Sequence, residues 1–281
     1  MKAIFQAKKL LVIAMAAGLA ATATQVSMGQ ANGDDDDDDD EEELEFEEAG
    51  LFFELNHTDG DLGLQGFVDG EAWKSLEIAG PESSNDEEEE PVLMSIWLRN
   101  ALRRQGLTEF SFESEEPGFD ELTPAQFFRR FPQGVYEIEG ITLEGDEVEA
   151  EIRLSHVMAA PPRNITVNGQ PQAPNCDSEE LPEVSGPVTI DWAPVTRSHP
   201  TIGTPNVDVR VREYQFVGEI EREDRVPEEI VFEVNLPRNV TQFTLPTEFT
   251  RLSTDGEVKY EIITMLTNGN LTAVESCFEI K

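Results

Sequence analysis

A run of acidic residues near the N-terminus sets the strongest limit on how this chain folds. Thirteen of the 15 residues from Asp34 to Glu48 are aspartate or glutamate, interrupted only by Leu44 and Phe46. Like charges at this density repel one another, and the run offers almost no apolar surface to bury. We therefore predict that residues 32–49 form a disordered acidic arm and that the folded part of the chain begins after it.

The charge of the whole chain excludes a broad class of partners. The sequence carries 58 acidic against 20 basic side chains, for a net charge of −38. Binding to nucleic acid, or docking on an anionic membrane surface, needs clustered lysine and arginine. We therefore expect no nucleic-acid partner. A second acidic run, Asp86–Glu90, lies between apolar stretches and predicts an exposed loop.

The first 31 residues have the features of an export signal. Three lysines precede an uncharged apolar stretch, Leu10–Ala21. This stretch is shorter than the roughly 20 residues that a membrane-spanning helix needs. We therefore predict a signal peptide, residues 1–31, cleaved after Ala23 or after Ala31, with an N-terminal anchor as the alternative. The mature protein is expected to be secreted or periplasmic, with no membrane span.

The two cysteines of the chain, Cys176 and Cys277, are predicted to form a disulfide. An exported protein reaches an oxidising compartment, where an exclusive pair of cysteines can join. The alternative is two separate buried thiols. In a chain-entropy model, closing a loop of about 100 residues contributes up to ~4.7 kcal/mol to stability.

Residues 50–158 are predicted to form a β-rich, sandwich-like domain, because short apolar runs and alternating patterns recur between turn residues. The dipeptide Asp69-Gly70 predicts a hairpin turn between two of the strands. The run Val92–Leu98 is apolar at nearly every position and predicts a strand that is buried on both faces. The predicted strands are Leu51–Leu55, Leu62–Val68, Trp73–Ile78, Val92–Leu98, Phe110–Phe112, Val135–Leu143 and Val148–Leu154.

One short helix is predicted within this domain. Thr123 can cap its N-terminus, Pro124 suits its first position, and Gln126 completes a capping box. Three phenylalanines between residues 127 and 131 would pack the helix on the sheet. A helix of fewer than three turns depends on such packing for its stability.

The C-terminal half carries a proline pair, a tryptophan and a tyrosine in the order typical of a known module. They are Pro161-Pro162 before a strand, Trp192 within the strand Val188–Val195, and Tyr260 in a later strand. In these features residues 160–281 resemble a fibronectin type III domain. The resemblance implies a two-sheet sandwich with Trp192 and Tyr260 in its core, the phenol of Tyr260 bonding a backbone group upstream.

One departure from this module concerns its first connection. The insertion Gly169–Pro187 is longer than the usual turn and carries Cys176, so the disulfide would pin it to the last strand at Cys277. The module also lacks an Arg-Gly-Asp tripeptide, so integrin-type adhesion has no support. Together the two halves predict an all-β protein: a β-sandwich-like domain with one short helix, followed by a fibronectin type III-like sandwich.

Three short motifs of residues 50–158 are similar to a domain of exported bacterial proteins of unassigned function. They are Glu54-Leu55-Asn56 with Asp59-Gly60-Asp61, Asp69-Gly70 with Trp73, and Arg104-Gln105-Gly106-Leu107-Thr108-Glu109. This resemblance implies pairing with a fibronectin-like module and implies no chemistry.

The turn that begins at Asn56 is the best local candidate for a metal site. Asn56, Asp59 and Asp61, with Asp69 further along, offer the hard oxygen ligands that calcium prefers. The same residue types also make tight turns without any metal, so both interpretations stay open at this point. Weak calcium binding by the acidic segments is a separate expectation, and no other cofactor is expected.

The sequence contains no HExxH, CxxC, GxSxG or P-loop motif. Of its three histidines, His156 is predicted to be structural, while His57 and His199 are predicted to lie in exposed loops. We therefore predict that the protein is not an enzyme. It would instead be an exported binding or scaffolding protein, with a protein or polysaccharide of the cell envelope as its partner.

The alternative function is a carbohydrate-binding protein or a glycoside hydrolase that uses the 50–158 domain. Trp73, Trp97 and Tyr136 would then stack on sugar rings, although aromatic residues on strands usually lie in the core. A cleft with converging carboxylates and exposed aromatic rings would favour this alternative.

Overall fold

The fold is described from a computed structural model, which describes residues 44–81, 91–222, 226–253 and 256–281. All of these residues belong to one compact unit, Glu42–Lys281. The predicted signal peptide, the greater part of the predicted acidic arm and the predicted loop Asp86–Glu90 lie outside the described residues.

Strands make up most of the described chain, which confirms the all-β fold class. The N-terminal strands are β1 (Leu44–Glu45), β2 (Glu48–Asn56), β3 (Asp61–Ala79), β4 (Val92–Trp97), β5 (Leu107–Glu113), β6 (Gly134–Thr142) and β7 (Glu147–Leu154). The C-terminal strands are β8 (Arg163–Val167), β9 (Gln170–Pro171), β10 (Glu183–Val184), β11 (Thr189–Ala193), β12 (Val211–Glu221), β13 (Glu229–Pro237), β14 (Gln242–Thr244), β15 (Glu257–Leu266) and β16 (Leu271–Ile280). The described residues also include the short helices α1 (Asn100–Gln105), α2 (Pro124–Arg130) and α3 (Thr247–Thr250).

The N-terminal strands form a hydrogen-bonded ladder that returns to the stretch of chain where it began. β1 pairs with β7, β7 with β6, β6 with the second half of β3, and the first half of β3 with β2. Only Phe46 and Glu47 separate β1 from β2. The ladder and this short connection surround apolar side chains that include Phe46 and Trp73.

The predicted acidic arm ends earlier than residue 49. Leu44 forms part of β1, and β2 begins at Glu48. Between them Phe46 is only 7% exposed and packs over Gly140, where an added Cβ would lie 3.1 Å from the ring. Charge density alone could not predict this contact. The burial of the Phe46 ring and the pairing of β1 with β7 are enough to order this short acidic segment.

The predicted hairpin at Asp69-Gly70 is wrong, because β3 runs without interruption over 19 residues. Gly70 does not have the left-handed conformation of a turn glycine. A Cβ on Gly70 would lie 3.3 Å from the ring of Phe46 and 3.3 Å from the Glu47 nitrogen. Glycine is therefore placed here to let the chain before β2 approach β3 closely, and not to turn the chain.

The prediction that β4 is buried on both faces is also wrong. Val92 and Trp97 are exposed, whereas Met94 and Ile96 pack against the core. Among the described residues β3 is the only strand that pairs with β4, so β4 forms an edge of the sheet. An apolar run has the same sequence pattern at an exposed edge as in a core. The pattern therefore could not show that one face of β4 is exposed.

The predicted helix is present as α2, including the capping box of Thr123 and Gln126. The Thr123 backbone N–H donates to Gln126 Oε1 at 3.1 Å. Phe127 and Phe128 meet the ring of Phe53 on β2 edge-on, with ring centroids 6.1 Å and 5.0 Å away. These contacts supply the packing that so short a helix needs.

The C-terminal strands form two facing sheets, as the resemblance implies. One sheet has the order β14-β11-β8-β9, and the other contains β13, β12, β15 and β16. Trp192 and Tyr260 are buried between them. Within the described residues the Tyr260 hydroxyl bonds a side chain rather than the backbone, donating to Gln172 Oε1 at 3.3 Å. The Tyr214 hydroxyl does bond the backbone, accepting the Val195 N–H at 2.9 Å.

One continuous sheet crosses from the N-terminal to the C-terminal half, because β2 and β16 pair in parallel. The fully buried Asn270 side chain secures this pairing. Its Oδ1 accepts the Phe53 N–H at 2.9 Å, and its Nδ2 donates to the Ser155 carbonyl at 2.7 Å. The predicted domains, 50–158 and 160–281, stay a prediction about independent folding, and their strands share this sheet.

The predicted disulfide between Cys176 and Cys277 is confirmed, with the two Cα atoms 4.8 Å apart. It ties the insertion to β16, and neighbouring contacts strengthen the same attachment. Ser276 Oγ donates to the Ala173 carbonyl at 2.9 Å, and β10 pairs in parallel with the end of β16.

Candidate functional site

A concave surface lies on the outer face of the sheet, where β4, β3, β6 and β7 run side by side. We call it the Trp97 groove. Its volume is about 210 Å³, which suits one long side chain or one sugar ring rather than a large ligand. It is lined by Ser75, Leu76, Glu77, Trp97, Glu139, Gly140, Ile141, Glu147, Val148 and Glu149.

Strand register brings the carboxylates of the groove together. Glu77 lies opposite Glu139, and Glu139 lies opposite Glu149 on the next strand. Successive side chains of a strand point to opposite faces, so Leu76 and Ile78 enter the core while Glu77 faces the groove. Like charges placed directly opposite each other repel, so the register concentrates negative charge in this row.

Trp97 stands at the edge of the groove on β4. It is 66% exposed, whereas Trp73 and Tyr136 are fully buried. Of the three aromatic residues that the sequence offered for stacking on a ligand, Trp97 alone is therefore on the surface. Sequence reasoning could not separate the three, because each lies on a strand with alternating neighbours.

The groove is strongly anionic. Glu139, Glu147 and Glu149 are exposed, and the half-buried Glu77 accepts a hydrogen bond from Ser95 Oγ at 2.7 Å. None of the described lining residues is a lysine or an arginine. An aromatic ring beside several carboxylates can hold a cation over the ring face, or stack on a hydroxylated ring whose hydroxyl groups the carboxylates accept.

The structure does not bring the four predicted calcium ligands together. Asn56 lies opposite Asp61 at the tip of the β2–β3 hairpin, whereas Asp69 lies opposite Glu48 at its other end. Asp69 lies eight positions after Asp61 along the strand, which is about 27 Å at ~3.4 Å per residue. In the part of the chain that the structure describes, no group of three or more His, Cys, Asp or Glu residues is arranged to hold a metal ion.

The Asn56 side chain has a structural role in this turn. Its Oδ1 accepts the N–H groups of Thr58 and Asp59 at 3.1 Å and 3.3 Å, and its Nδ2 donates to Asp59 Oδ2 at 3.0 Å. Thr58 Oγ1 in turn accepts the Glu275 N–H on β16 at 3.0 Å. The turn therefore docks the N-terminal hairpin on the C-terminal half, using the local bonding that Asn favours.

Two histidines far apart in sequence meet beside this junction. His199 is only 4% exposed, so its predicted exposure is wrong, while His57 is exposed as predicted. His199 Nε2 lies 3.4 Å from His57 Nδ1. His199 Nδ1 accepts the backbone N–H groups of Thr201 and Ile202 at 3.3 Å and 3.0 Å. A separation of 142 residues gave sequence reasoning no signal for this contact.

Protonation of both imidazole rings is disfavoured. Burial lowers the pKa of His199 to about 4, and the positive charges of His57 and Arg163 add to this effect. Loss of water on the packed side of the ring, followed by the charge of Arg163, lowers the pKa of His57. The third histidine, His156, bonds the Phe131 carbonyl through Nε2 at 2.8 Å and has the structural role predicted for it.

No protein-family model matches the chain, and no curated protein matches its sequence. Solved structures that match do so at low structural similarity. A tetra-tandem repeat in the extending region of a large adhesion protein matches with 10% identity and a TM-score of 0.23, covering 83% of this chain and 50% of that chain. A 1.5-MDa bacterial ice-binding adhesin matches with 11% identity and a TM-score of 0.24, covering 85% and 66%. The FN1–FN3 domains of chicken CNTN1 match with 9% identity and a TM-score of 0.27, covering 84% and 68%.

The chain thus spans about half to two thirds of the lengths of these structures. We assign neither a family nor a ligand from them. Within the described residues, no helix has both the length and the apolar character needed to cross a membrane.

Proposed function

We propose that this is an exported protein that acts by binding rather than by catalysis, with the Trp97 groove as its ligand surface. The observation that carries this proposal is an exposed tryptophan beside four glutamates in one concavity. An exposed indole ring leaves apolar surface in water, and the facing glutamates repel one another. A ligand that covers the ring and brings positive or hydrogen-bonding groups to the carboxylates would reduce both costs.

Export is supported by the features of residues 1–31 and by the disulfide. Structural disulfides persist in the oxidising compartments outside the cytosol and are rare within it. We therefore propose a secreted or periplasmic location, with a protein or polysaccharide of the cell envelope as the partner. Residues 160–281 would act as a fibronectin type III-like scaffold domain. This interpretation is favoured by two facing sheets with Trp192 between them.

Carbohydrate binding at the same groove is the second candidate function, favoured by the exposed ring of Trp97. Glycoside hydrolysis has less support. A glycosidase holds its general acid in a desolvated site, whereas Glu139, Glu147 and Glu149 are exposed to solvent.

The proposed function is tested by site-specific photocrosslinking in the producing cell. A photoreactive residue at Ser95, beside the groove, should capture an envelope component. The same residue at Glu180, exposed on the insertion, serves as the control. We expect crosslinks from position 95 that disappear in the Trp97→Ala variant. Equal capture at both positions, or capture unaffected by Trp97→Ala, would contradict a ligand surface at the groove.

A further inference from the structure

We infer that the ligand of the Trp97 groove is a basic, extended peptide segment that adds to the sheet as a strand beside β4. This inference rests on the proposed binding function and names the chemical class of its ligand. Two independent features carry it: the unprotected edge of β4, and the anionic groove that the edge borders.

The edge of β4 is suited to strand addition. Among the described residues β4 pairs with β3 alone, so the backbone N–H and C=O groups on its other side have no strand partner there. Proteins usually guard such an edge with charged residues or proline. Val92–Trp97 itself contains neither, and the nearest such residue is Pro91, directly before the strand. Open edges of this kind take up extended peptides through main-chain hydrogen bonds.

A strand added beside β4 would present its side chains to two different environments, because they alternate between the faces. On the inner face it would lie next to Met94 and Ile96, which pack against the core. On the outer face it would lie next to Ser95 and Trp97, which share the face of Glu77. Apolar residues suit the inner positions, and the groove sets the chemistry of the outer ones.

The outer positions suit lysine or arginine. A basic side chain that crosses Trp97 covers the ring with its methylene stem and holds its charge over or beyond the ring face. Glu77 lies two strands away from the added strand, about 10 Å at the usual strand spacing. A lysine or arginine of the added strand and Glu77, extended toward each other, span this distance. Glu139 and Glu149 line the wall behind Glu77.

Other occupants fit these features less well. A second copy of this chain would bring a net charge of −38 and the same row of glutamates to the contact. A neutral sugar would stack on Trp97 but would make no main-chain hydrogen bonds to β4 and would bring no charge complementary to the anionic groove. A basic strand can cover the ring, reach Glu77 and pair with the backbone edge, and its charge is complementary to the groove as a whole.

The test is calorimetric titration of the full mature chain with a synthetic decapeptide of alternating lysine and valine. A decapeptide with five lysines followed by five valines has the same composition and charge but no continuous basic face. A third decapeptide keeps the alternating order and is N-methylated along its backbone, which removes its hydrogen-bond donors. We expect the alternating peptide to bind with one-to-one stoichiometry, and both controls to bind at least tenfold more weakly.

Two sets of variants locate the site. Trp97→Ala should weaken binding about tenfold, and Trp97→Tyr should restore most of it. The triple variant Glu77→Gln, Glu139→Gln, Glu149→Gln should also weaken binding about tenfold. The matched triple Glu179→Gln, Glu180→Gln, Glu248→Gln removes the same charge from exposed sites elsewhere and should leave binding within twofold. Acrylamide quenching of tryptophan fluorescence should fall on binding, since Trp97 is the exposed tryptophan.

Each alternative outcome overturns the inference. Equal binding of the block and alternating peptides, or equal weakening by the two triple variants, would reduce the interaction to bulk charge. Binding of cellohexaose that is lost in Trp97→Ala, without peptide binding, would leave the proposed binding function standing with a sugar as its ligand. A dimer abolished by Trp97→Ala would identify a second copy as the occupant. If neither peptide nor sugar binds and Ser95 captures nothing, the proposed function fails as well.

Discussion

At the scale of single residues, close approaches between backbone segments decide which side chains this chain tolerates. Gly203 shows this most sharply, because it has a φ of +70° and an added Cβ would lie 1.9 Å from the His156 carbonyl oxygen. Gly186 has a similar φ of +75° but open space around it. The two glycines look alike in sequence, and only their surroundings separate them.

The first prediction compares these two positions. Gly186→Ala should cost about 1–2 kcal/mol of stability, the usual penalty for a left-handed conformation at a residue with a side chain. Gly203→Ala should cost several kcal/mol more, because the backbone at His156 must also move. Urea unfolding of both variants measures the difference. Equal losses would show that the approach at Gly203 relaxes without cost.

The second prediction concerns His199 and pH. Its pKa falls from 6.5 to about 4 on folding, so between these values the unfolded chain binds more protons than the folded one. The stability that His199 contributes is therefore complete above pH 6.5 and is lost as the pH falls toward 4. Glu261 opposes this change, because burial raises its pKa to about 7 and the folded chain then takes up the proton first.

His199→Asn separates the two contributions. Asparagine can still accept the N–H groups of Thr201 and Ile202 but does not titrate. Between pH 7 and 4.5 the variant should lose about 2 kcal/mol less stability than the wild type, measured by urea unfolding at each pH. Parallel pH profiles for the two proteins would contradict a buried neutral His199.

At the scale of secondary-structure elements, features set by neighbouring residues were predicted correctly, whereas features set by distant contacts were not. Helix α2 was predictable because its capping box lies within four consecutive residues. The predicted strand boundaries divided β3 wrongly at Asp69-Gly70, because the close contact between Gly70 and Phe46 involves a segment more than 20 residues earlier. The edge position of β4 could not be predicted for the same reason, since the pairing of strands across the sheet determines which strands lie beside β4.

The third prediction, at this scale, concerns the attachment of the insertion to β16. The double variant Cys176→Ser, Cys277→Ser should lower stability by about 2–5 kcal/mol, because the bond closes a loop with a sequence separation of 101. Urea unfolding of the variant and of the wild type measures this loss. Unreduced wild-type protein, once denatured, should show no reactive thiol, and two thiols per chain would contradict the bond.

At the scale of the whole molecule, the two halves are joined by a shared sheet and carry a large excess of negative charge. The β2–β16 pairing is parallel and links residues more than 200 positions apart. The chain carries a net charge of −38, which favours cationic ligands in solution. The acidic arm contributes to this charge, and its last residues, from Leu44 onward, are part of the folded unit.

The fourth prediction uses this boundary to test calcium binding. Deleting Asp34–Glu43, and stopping before β1, should remove most low-affinity calcium uptake at low salt while leaving the melting temperature unchanged. In the intact chain the uptake should fall sharply when salt is raised to 0.1 M, because exposed charges are then screened beyond ~10 Å. Calorimetry measures both effects. Tight binding that survives the deletion would instead point to a prearranged site within the folded unit.

The sequence by itself determined the features that depend on neighbouring residues or on totals. The all-β class follows from local alternation, helix α2 from its cap, and the disulfide from an exclusive cysteine pair. These signals are readable because their physical cause lies within a few residues or in the composition.

Only the tertiary structure decided which strand became an edge, which tryptophan reached the surface, and which carboxylates came together. Trp73 and Trp97 lie in similar strands, yet one fills the core and the other borders the groove. Glu77, Glu139 and Glu149 come from three strands and meet through pairing register. Register and edge position are set by hydrogen bonds and packing between distant segments, and no short stretch of sequence contains both partners of such a contact.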